Sequence, residues 1–231
     1  MKALNEHWQM ISSHYKRVFD IRWGETWYAS VVQPLVMSAY ENEEFRKKNE
    51  EKFYFKTNEE WRPYELIIET QVGLVLVLCQ SYITNVISQV HNFHSDFRVL
   101  FKDELTGFKT SKSDLLKSFS SYYENTGYTK IEAIDHLANY FKHHQEWGGK
   151  PELLTKNAKR TADAVRKLGL DIQLSLWYSR NLSKAVCPLG VSAPQQLPAL
   201  LTIIDDWKRE IGLAYKSLLE VDSNARQETN A

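Results

Sequence analysis

Cysteine, proline, glycine, net charge and long apolar runs are all scarce in this chain. Two cysteines in 231 residues, Cys79 and Cys187, exclude a disulfide-stapled secreted domain, which needs more of them in a shorter chain. Both are expected to be free thiols buried in apolar surroundings. Six prolines and nine glycines leave long stretches unpunctuated, so long regular elements are expected. The 29 basic and 29 acidic side chains cancel, which excludes the strongly basic class of proteins that coat nucleic acid. The most apolar stretch, Leu66 to Val90, is broken by Glu69, Gln71, Gln80 and Asn85. Its longest unbroken run, Val72 to Cys79, is too short to span a membrane. The opening MKALNEHWQMISSHYKR has no apolar core of signal-peptide type. These absences point to a soluble, cytoplasmic protein with no membrane contact.

Core material is plentiful. Hydrophobic residues make up 43% of the chain and aromatics 13%, which excludes a disordered acidic tail. The apolar spacing is mostly three and four, the signature of helices packed on one face, and alternation of period two is almost absent. No repeat of solenoid length occurs.

Read in order, a first helix covers Leu4 to Ile21 and ends near Gly24. A second starts near Thr26 and is kinked or divided by Pro34. The interleaved charges from Glu41 to Lys52 form a solvated helix extension or a loop. After Pro63 comes a central helix of roughly 25 residues, with Ile68, Val72, Val75, Leu76, Cys79, Ile83, Val86 and Val90 at helical spacing. Ser95 and Asp96 cap a short helix to Leu105, and Ser113 opens another to Tyr123. Thr129 with Glu132 forms a capping-box pattern opening a helix to about Trp147. Gly148 to Pro151 is a break. The next helix reaches Leu168 and stops at Gly169. A Pro-containing loop runs from Cys187 to Pro198, and the last helix spans Ala199 to Val221. The expectation is an all-α antiparallel bundle of six to eight helices. Residues 1–62 form a helical hairpin on the core, 63–222 the main helical domain, and 223–231 a disordered tail.

One helix carries candidate chemistry. In TKIEAIDHLANYFKHHQEWGG, from Thr129, the residues Ile131, Ile134, Leu137, Ala138 and Phe141 share one half of the helical wheel. Asp135, Asn139 and His143 stack at i, i+4 and i+8 on the other, with His136 close to that ridge and Tyr140 and His144 at its border. A carboxylate, an amide and an imidazole on one exposed ridge are suited to general acid–base work.

Ala138-Asn139-Tyr140-Phe141-Lys142-His143 resembles the signature helix of HEPN domains: Arg, a polar residue often Asn, three variable residues, then His. The resemblance covers about residues 64 to 168 and implies a HEPN-like core. In that family the motif helix packs at a dimer interface, and active members cleave RNA without metal at a site composed from both subunits. The resemblance therefore implies a homodimer without cofactor or metal. It also implies a defence or toxin–antitoxin setting with an antitoxin or another defence-system subunit as protein partner. His143 would be the general acid or base, Asn139 would orient the phosphate or the imidazole, and Asp135 would support His143. Ala138 stands where the family has Arg, the fixed cationic fork that binds phosphate and stabilises developing charge. The chain is then either a metal-independent endoribonuclease or an inactive relative that binds RNA, nucleotide or a partner. Lys142 and His144 beside His143, and Arg160 and Arg166 on the next helix, are the substrate-binding candidates. The alternative is a non-catalytic helical protein-interaction module, in which the aromatic-rich N-terminal helices hold a partner.

Other clusters read as structural. His91 and His94, three apart, are surface or helix-end histidines rather than a zinc site. Asp205, Asp206 and Glu210 lie on the polar side of the last helix as a solvated face. Trp23 to Trp27 is an aromatic cluster at a helix junction. The helix from Lys150 to Leu168 holds six cations against two anions, a local charge of +4; it reads as a solvated basic face, with RNA phosphates, nucleotide or an acidic partner as the other reading.

Overall fold

Helices account for most of the described residues in the computed structural model, which describes residues 2–20, 26, 28–53, 62–100, 108–144, 155–170 and 181–228. They are α1 (Lys2–Tyr15), α2 (Gln33–Phe53), α3 (Arg62–Leu100), α4 (Lys112–Lys117), α5 (Lys130–His143), α6 (Lys156–Lys167), α7 (Asn181–Ala185) and α8 (Ala199–Glu228). Among the described residues there is no β-strand, only an isolated antiparallel bridge between Tyr122 and Thr129. The all-α expectation holds.

The long α3 runs about 58 Å at the usual helical rise and is the axis of the bundle. Val75, Leu76, Cys79, Ile83, Val86, Val90 and Phe93 form a fully buried stripe along it at spacings of three and four. α5 packs on it most extensively, α2 lies along another side, and α7, α8 and α1 also contact it. Ile11, Val18, Phe19, Val32, Val36 and Ala39 belong to the same buried cluster as the rest of the core, so the N-terminal helices are built into that core.

α3 corrects two expectations. It continues through Ser95 and Asp96 instead of restarting there. Phe93 and Phe97 extend the buried stripe past the cap residues, and Asp96 accepts from His14 of α1 at 2.9 Å. The tertiary pairing outweighs the local capping preference. The segment Glu65–Arg98 is also long and apolar enough to cross a membrane by length and composition, but 61% of its most apolar window is buried inside the protein. Most of its apolar surface is spent on this chain's own core.

Two short π-helical segments, Lys16–Asp20 and Tyr28–Val32, flank the first helical junction. Pro34 sits at the second position of α2, where the π segment gives way to α-helix, a place that tolerates its missing N–H. The charged stretch after it is helix, closed by Arg46 on Glu43 at 2.8 and 3.1 Å and Lys47 on Glu44 at 3.3 Å.

Several boundaries move. α4 is capped by Ser111 and ends at Lys117. Tyr123, expected to end a helix, lies in the following turn, where its buried hydroxyl donates to the carbonyls of Ala185 at 2.9 Å and Leu168 at 3.3 Å. α6 starts at Lys156 behind the Thr155 cap and stops before Gly169, whose φ of 88° suits glycine. α8 continues over 223–228, which the sequence places in a tail. The breaks at Gly24 and at 148–151, the helix end near Trp147 and the Trp23–Trp27 cluster lie outside the described residues.

Two buried ionisable groups tie elements together. Glu69, 1% exposed, accepts from the backbone N–H groups of Leu182 at 2.8 Å and Ser183 at 3.0 Å and from the Ser183 hydroxyl. A carboxylate of α3 thus caps the first turn of α7, where free amide donors and the helix dipole favour a negative charge. Lys208, 2% exposed, has its ammonium disfavoured by burial, while Asp205 and Asp20 act the other way. Asp205 also accepts from the Tyr82 hydroxyl at 2.5 Å. Of the acidic face expected on α8, Asp206 and Glu210 are solvated beside Arg209, whereas Asp205 is part of the packing. Cys79 is buried as expected, but Cys187 is exposed.

Candidate functional site

The capping box at the head of α5 is formed in full. The Thr129 hydroxyl accepts from the N–H of Glu132 at 3.1 Å, and the Glu132 carboxylate accepts from the N–H of Thr129 at 3.0 Å. The Thr129 hydroxyl also donates to the carbonyl of Leu116 at 2.5 Å. These bonds set the start and rotation of the helix that carries the candidate residues.

Ile131, Ile134, Leu137 and Ala138 are fully buried, as the wheel predicts. The ridge opposite them is not a solvated face. Asp135 is only 7% exposed. Its Oδ1 accepts from Gln80 of α3 at 2.9 Å and from Lys112 of α4 at 3.0 Å, and its Oδ2 accepts from the Asn139 amide at 3.3 Å. The Gln80 amide nitrogen also reaches the Asp135 carbonyl at 3.2 Å, and its Oε1 accepts from Lys142 at 2.6 Å. One polar chain therefore runs Lys142–Gln80–Asp135–Lys112 across three helices. The Asp135 carboxylate is compensated at each oxygen, as a buried charge requires.

This chain joins three of the predicted residues, Asp135, Asn139 and Lys142. It leaves out His143, which is exposed at the last residue of α5. Eight residues separate His143 from Asp135, roughly 12 Å along the helix axis. Asp135 is engaged by Gln80, Lys112 and Asn139, and the support expected for His143 is not among those contacts. His144 is half-buried. Its Nδ1 lies 2.6 Å from the Phe141 carbonyl and its ring near Tyr140 and Phe141. Burial lowers its pKa, with the carbonyl bond acting in the opposite sense. Arg160 and Arg166 are exposed on α6, and Arg166 pairs with Asp163 at 2.8 Å.

α3 and α5 meet closely at Gly73. A Cβ there would lie 2.1 Å from Cδ2 and 2.4 Å from Cγ of Phe141, so only glycine lets the Phe141 ring rest against α3. That contact sits one residue before Lys142 and fixes the level at which α5 crosses α3.

Sequence reasoning missed Gln80 and Lys112 as members of the site. Gln80 was detectable as a polar residue inside the apolar run, and a polar side chain among core residues requires a partner. It also passed over His136 as a neighbour of the ridge. His136 is half-buried, and its Nδ1 is buried without a hydrogen-bond partner among the described residues. Burial holds its pKa below the ordinary histidine value, with Arg160 and Lys112 acting the same way and Asp135 and Glu132 opposing.

His91 and His94 are used structurally. His91 Nε2 meets the Thr110 carbonyl, and His94 Nδ1 lies 2.9 Å from the Tyr215 hydroxyl. Among the described residues no group of three or more His, Cys, Asp or Glu is placed to hold a metal ion. No family model, curated protein or solved structure matches this chain.

Proposed function

We propose that this chain is a HEPN-like helical protein that binds RNA through the exposed C-terminal end of α5 and the basic α6 and does not cleave it. It would be an inactive relative acting as a cytoplasmic homodimer in a defence or toxin–antitoxin setting. The observation that carries this reading is Ala138, fully buried at the position where the family has its Arg. No cationic fork is available there to stabilise a phosphoryl transition state. Asp135 and Asn139 are bound to each other and to the α3–α4 network, so neither is held for proton transfer at His143. Lys142, His143, Arg160 and Arg166 are exposed on neighbouring helices, which suits contact with a phosphate backbone.

The test is fluorescence anisotropy with a single-stranded RNA oligonucleotide over a range of salt, beside a cleavage assay. The expected result is salt-dependent binding without cleavage products, weakened in a Lys142→Gln, Arg160→Gln double variant. Cleavage that disappears in His143→Ala would establish the nuclease instead. Absence of RNA binding even at low salt would leave the protein-interaction module as the reading. That second reading draws on exposed apolar residues of α3, Ile67 at 38% and Leu74 at 40%, which lie seven residues apart and so on one side of the helix.

A further inference from the structure

Where α4, α5 and α6 meet, a group of side chains lies beside the polar network and shares only Lys112 with it. The His136 ring meets Tyr128 edge-on, with centroids 5.2 Å apart. Lys167 of α6 lies over the face of the same Tyr128 ring, its Nζ 5.8 Å from the centroid. Lys112 of α4 reaches the adjacent Asp135 at 3.0 Å. Lys112 and Arg160 of α6 are both near enough to His136 to oppose its protonation. Lys112 and Arg160 thus act on the imidazole, while Lys167 lies over the phenol ring that the imidazole meets.

The carboxylates in reach are already committed. Glu132 accepts from the Thr129 N–H in the capping box. Asp135 serves Gln80, Asn139 and Lys112. Among the described residues Arg160 and Lys167 have no carboxylate partner, whereas Arg166 beside them has Asp163. The orphaned Nδ1 of His136 decides the tautomer. A buried N–H without an acceptor is the rarer and costlier defect, so the ring proton belongs on Nε2. At neutral pH the ring then offers one neutral N–H donor among cations.

We propose that this face is a phosphate-ester subsite, in which Arg160, Lys112 and Lys167 supply positive charge and His136 supplies the N–H donor beside the Tyr128 ring. The inference deepens the RNA-binding reading by naming where a phosphate sits, and the same chemistry would take a free nucleotide. A bound phosphate favours the imidazolium over the neutral ring. It therefore offsets the opposition of Arg160 and Lys112, joins Asp135 and Glu132 in favouring the charge, and raises the His136 pKa. Affinity for an RNA phosphodiester, whose charge is constant over this interval, should rise as pH falls from about 7.5 to about 6.

The experiment titrates the full chain with inorganic phosphate, a nucleoside 5′-monophosphate and a single-stranded RNA oligonucleotide, following the histidine ring C–H signals by NMR. The expected result is movement of the His136 signals with phosphate and monophosphate, a raised apparent pKa, and about tenfold weaker binding in Arg160→Gln, the scale of one lost charge-assisted contact. Lys184→Gln, on exposed α7 surface, should bind as the parent does. Arg160 and Lys167 are exposed, so their Gln variants carry the mutational test, and His136→Gln serves to assign the signals. His136 signals unmoved by all three probes at low salt, or parental affinity in Arg160→Gln and Lys167→Gln, would overturn the subsite. RNA binding with silent His136 signals defeats this inference and spares the RNA-binding reading. A response to phosphate without RNA binding does the reverse, and the monophosphate and RNA arms separate a nucleotide ligand from a strand.

Discussion

Replacing Gly73 by Ala should destabilise this protein, although in an ordinary helix interior the same change stabilises by about 1 kcal/mol. The new Cβ would stand 2.1, 2.2 and 2.4 Å from Cδ2, Cε2 and Cγ of Phe141. Carbon atoms pack comfortably at about 3.5 Å, so the ring must recede by more than 1 Å. Cγ lies next to the Phe141 backbone and cannot swing away as a ring edge could, so relief requires a new rotamer or a shift of α5. Such overpacking costs about 1–3 kcal/mol, leaving a net loss of up to about 2 kcal/mol, centred near 1, once the propensity gain is offset. Urea unfolding followed by circular dichroism should show the midpoint falling by roughly 0.5 M with an unchanged slope. The decisive measurement repeats Gly73→Ala in a Phe141→Ala background. With the ring gone the substitution should become stabilising by about 1 kcal/mol, an inversion of sign. A raised midpoint in the parent background would refute the close approach of α3 and α5, and with it the level assigned to Lys142 and Gln80.

Three other outcomes follow from buried groups. Glu69→Gln should cost about 2–3 kcal/mol in urea unfolding, because an amide nitrogen replaces one carboxylate oxygen that faces N–H donors of α7; a change under about 0.5 kcal/mol would sink the capping role. Ala138→Arg should lose more than about 3 kcal/mol of stability and gain no RNA cleavage, since the position is fully buried; a stable variant that cuts RNA would reverse both conclusions. The pKa values of His94, His136 and His144 are held below the ordinary histidine value, in each case first by burial. The unfolded chain therefore takes up protons before the folded one as pH falls through about 6.5. Stability should be level above about pH 7.5 and decline toward about pH 5.5, and a urea midpoint that rises over that interval would contradict the assignment.

The legible parts of this fold are those decided by neighbours in sequence. Thr129 and Glu132 announce the capping box because both partners lie within one turn. The stripe from Ile68 to Val90 announces α3 because burial repeats every three or four residues. The illegible parts depend on coverage by distant elements. A wheel places Asp135 opposite the core, but it cannot reveal that Gln80 and Lys112 cover that side and complete the carboxylate's hydrogen bonds. Ser95 and Asp96 look like a cap because their local preference is real. It is overridden where Phe93 and Phe97 continue into the aromatic cluster around Tyr215. Cys187 looks as apolar in context as Cys79, yet it falls in a 3₁₀ turn at the surface. Lys208 gives no sign in its own helix of the burial that Asp20 and Asp205 accompany.

The zero net charge acquires a local meaning from these contacts. The Asp135 carboxylate of α5 is neutralised by Lys112 of α4, and Lys142 bonds a neutral amide, Gln80, while staying exposed. What remains available to an outside anion is the Lys142 end of α5, the cationic side of α6 and the histidines. Of these, His143 is exposed on a helix end without the support expected from Asp135, and a solvated imidazole is a weak organiser of a transition state. His136 has the opposite setting: half-buried, held neutral, and flanked by Lys112 and Arg160. A neutral donor among fixed cations favours binding of a phosphate over attack on it. Proton abstraction would need a ring poised near the working pH and a charged group aimed at the developing oxyanion. On the proposed reading the buried Ala138 withholds that group, and α5 and α6 would recognise RNA rather than cleave it.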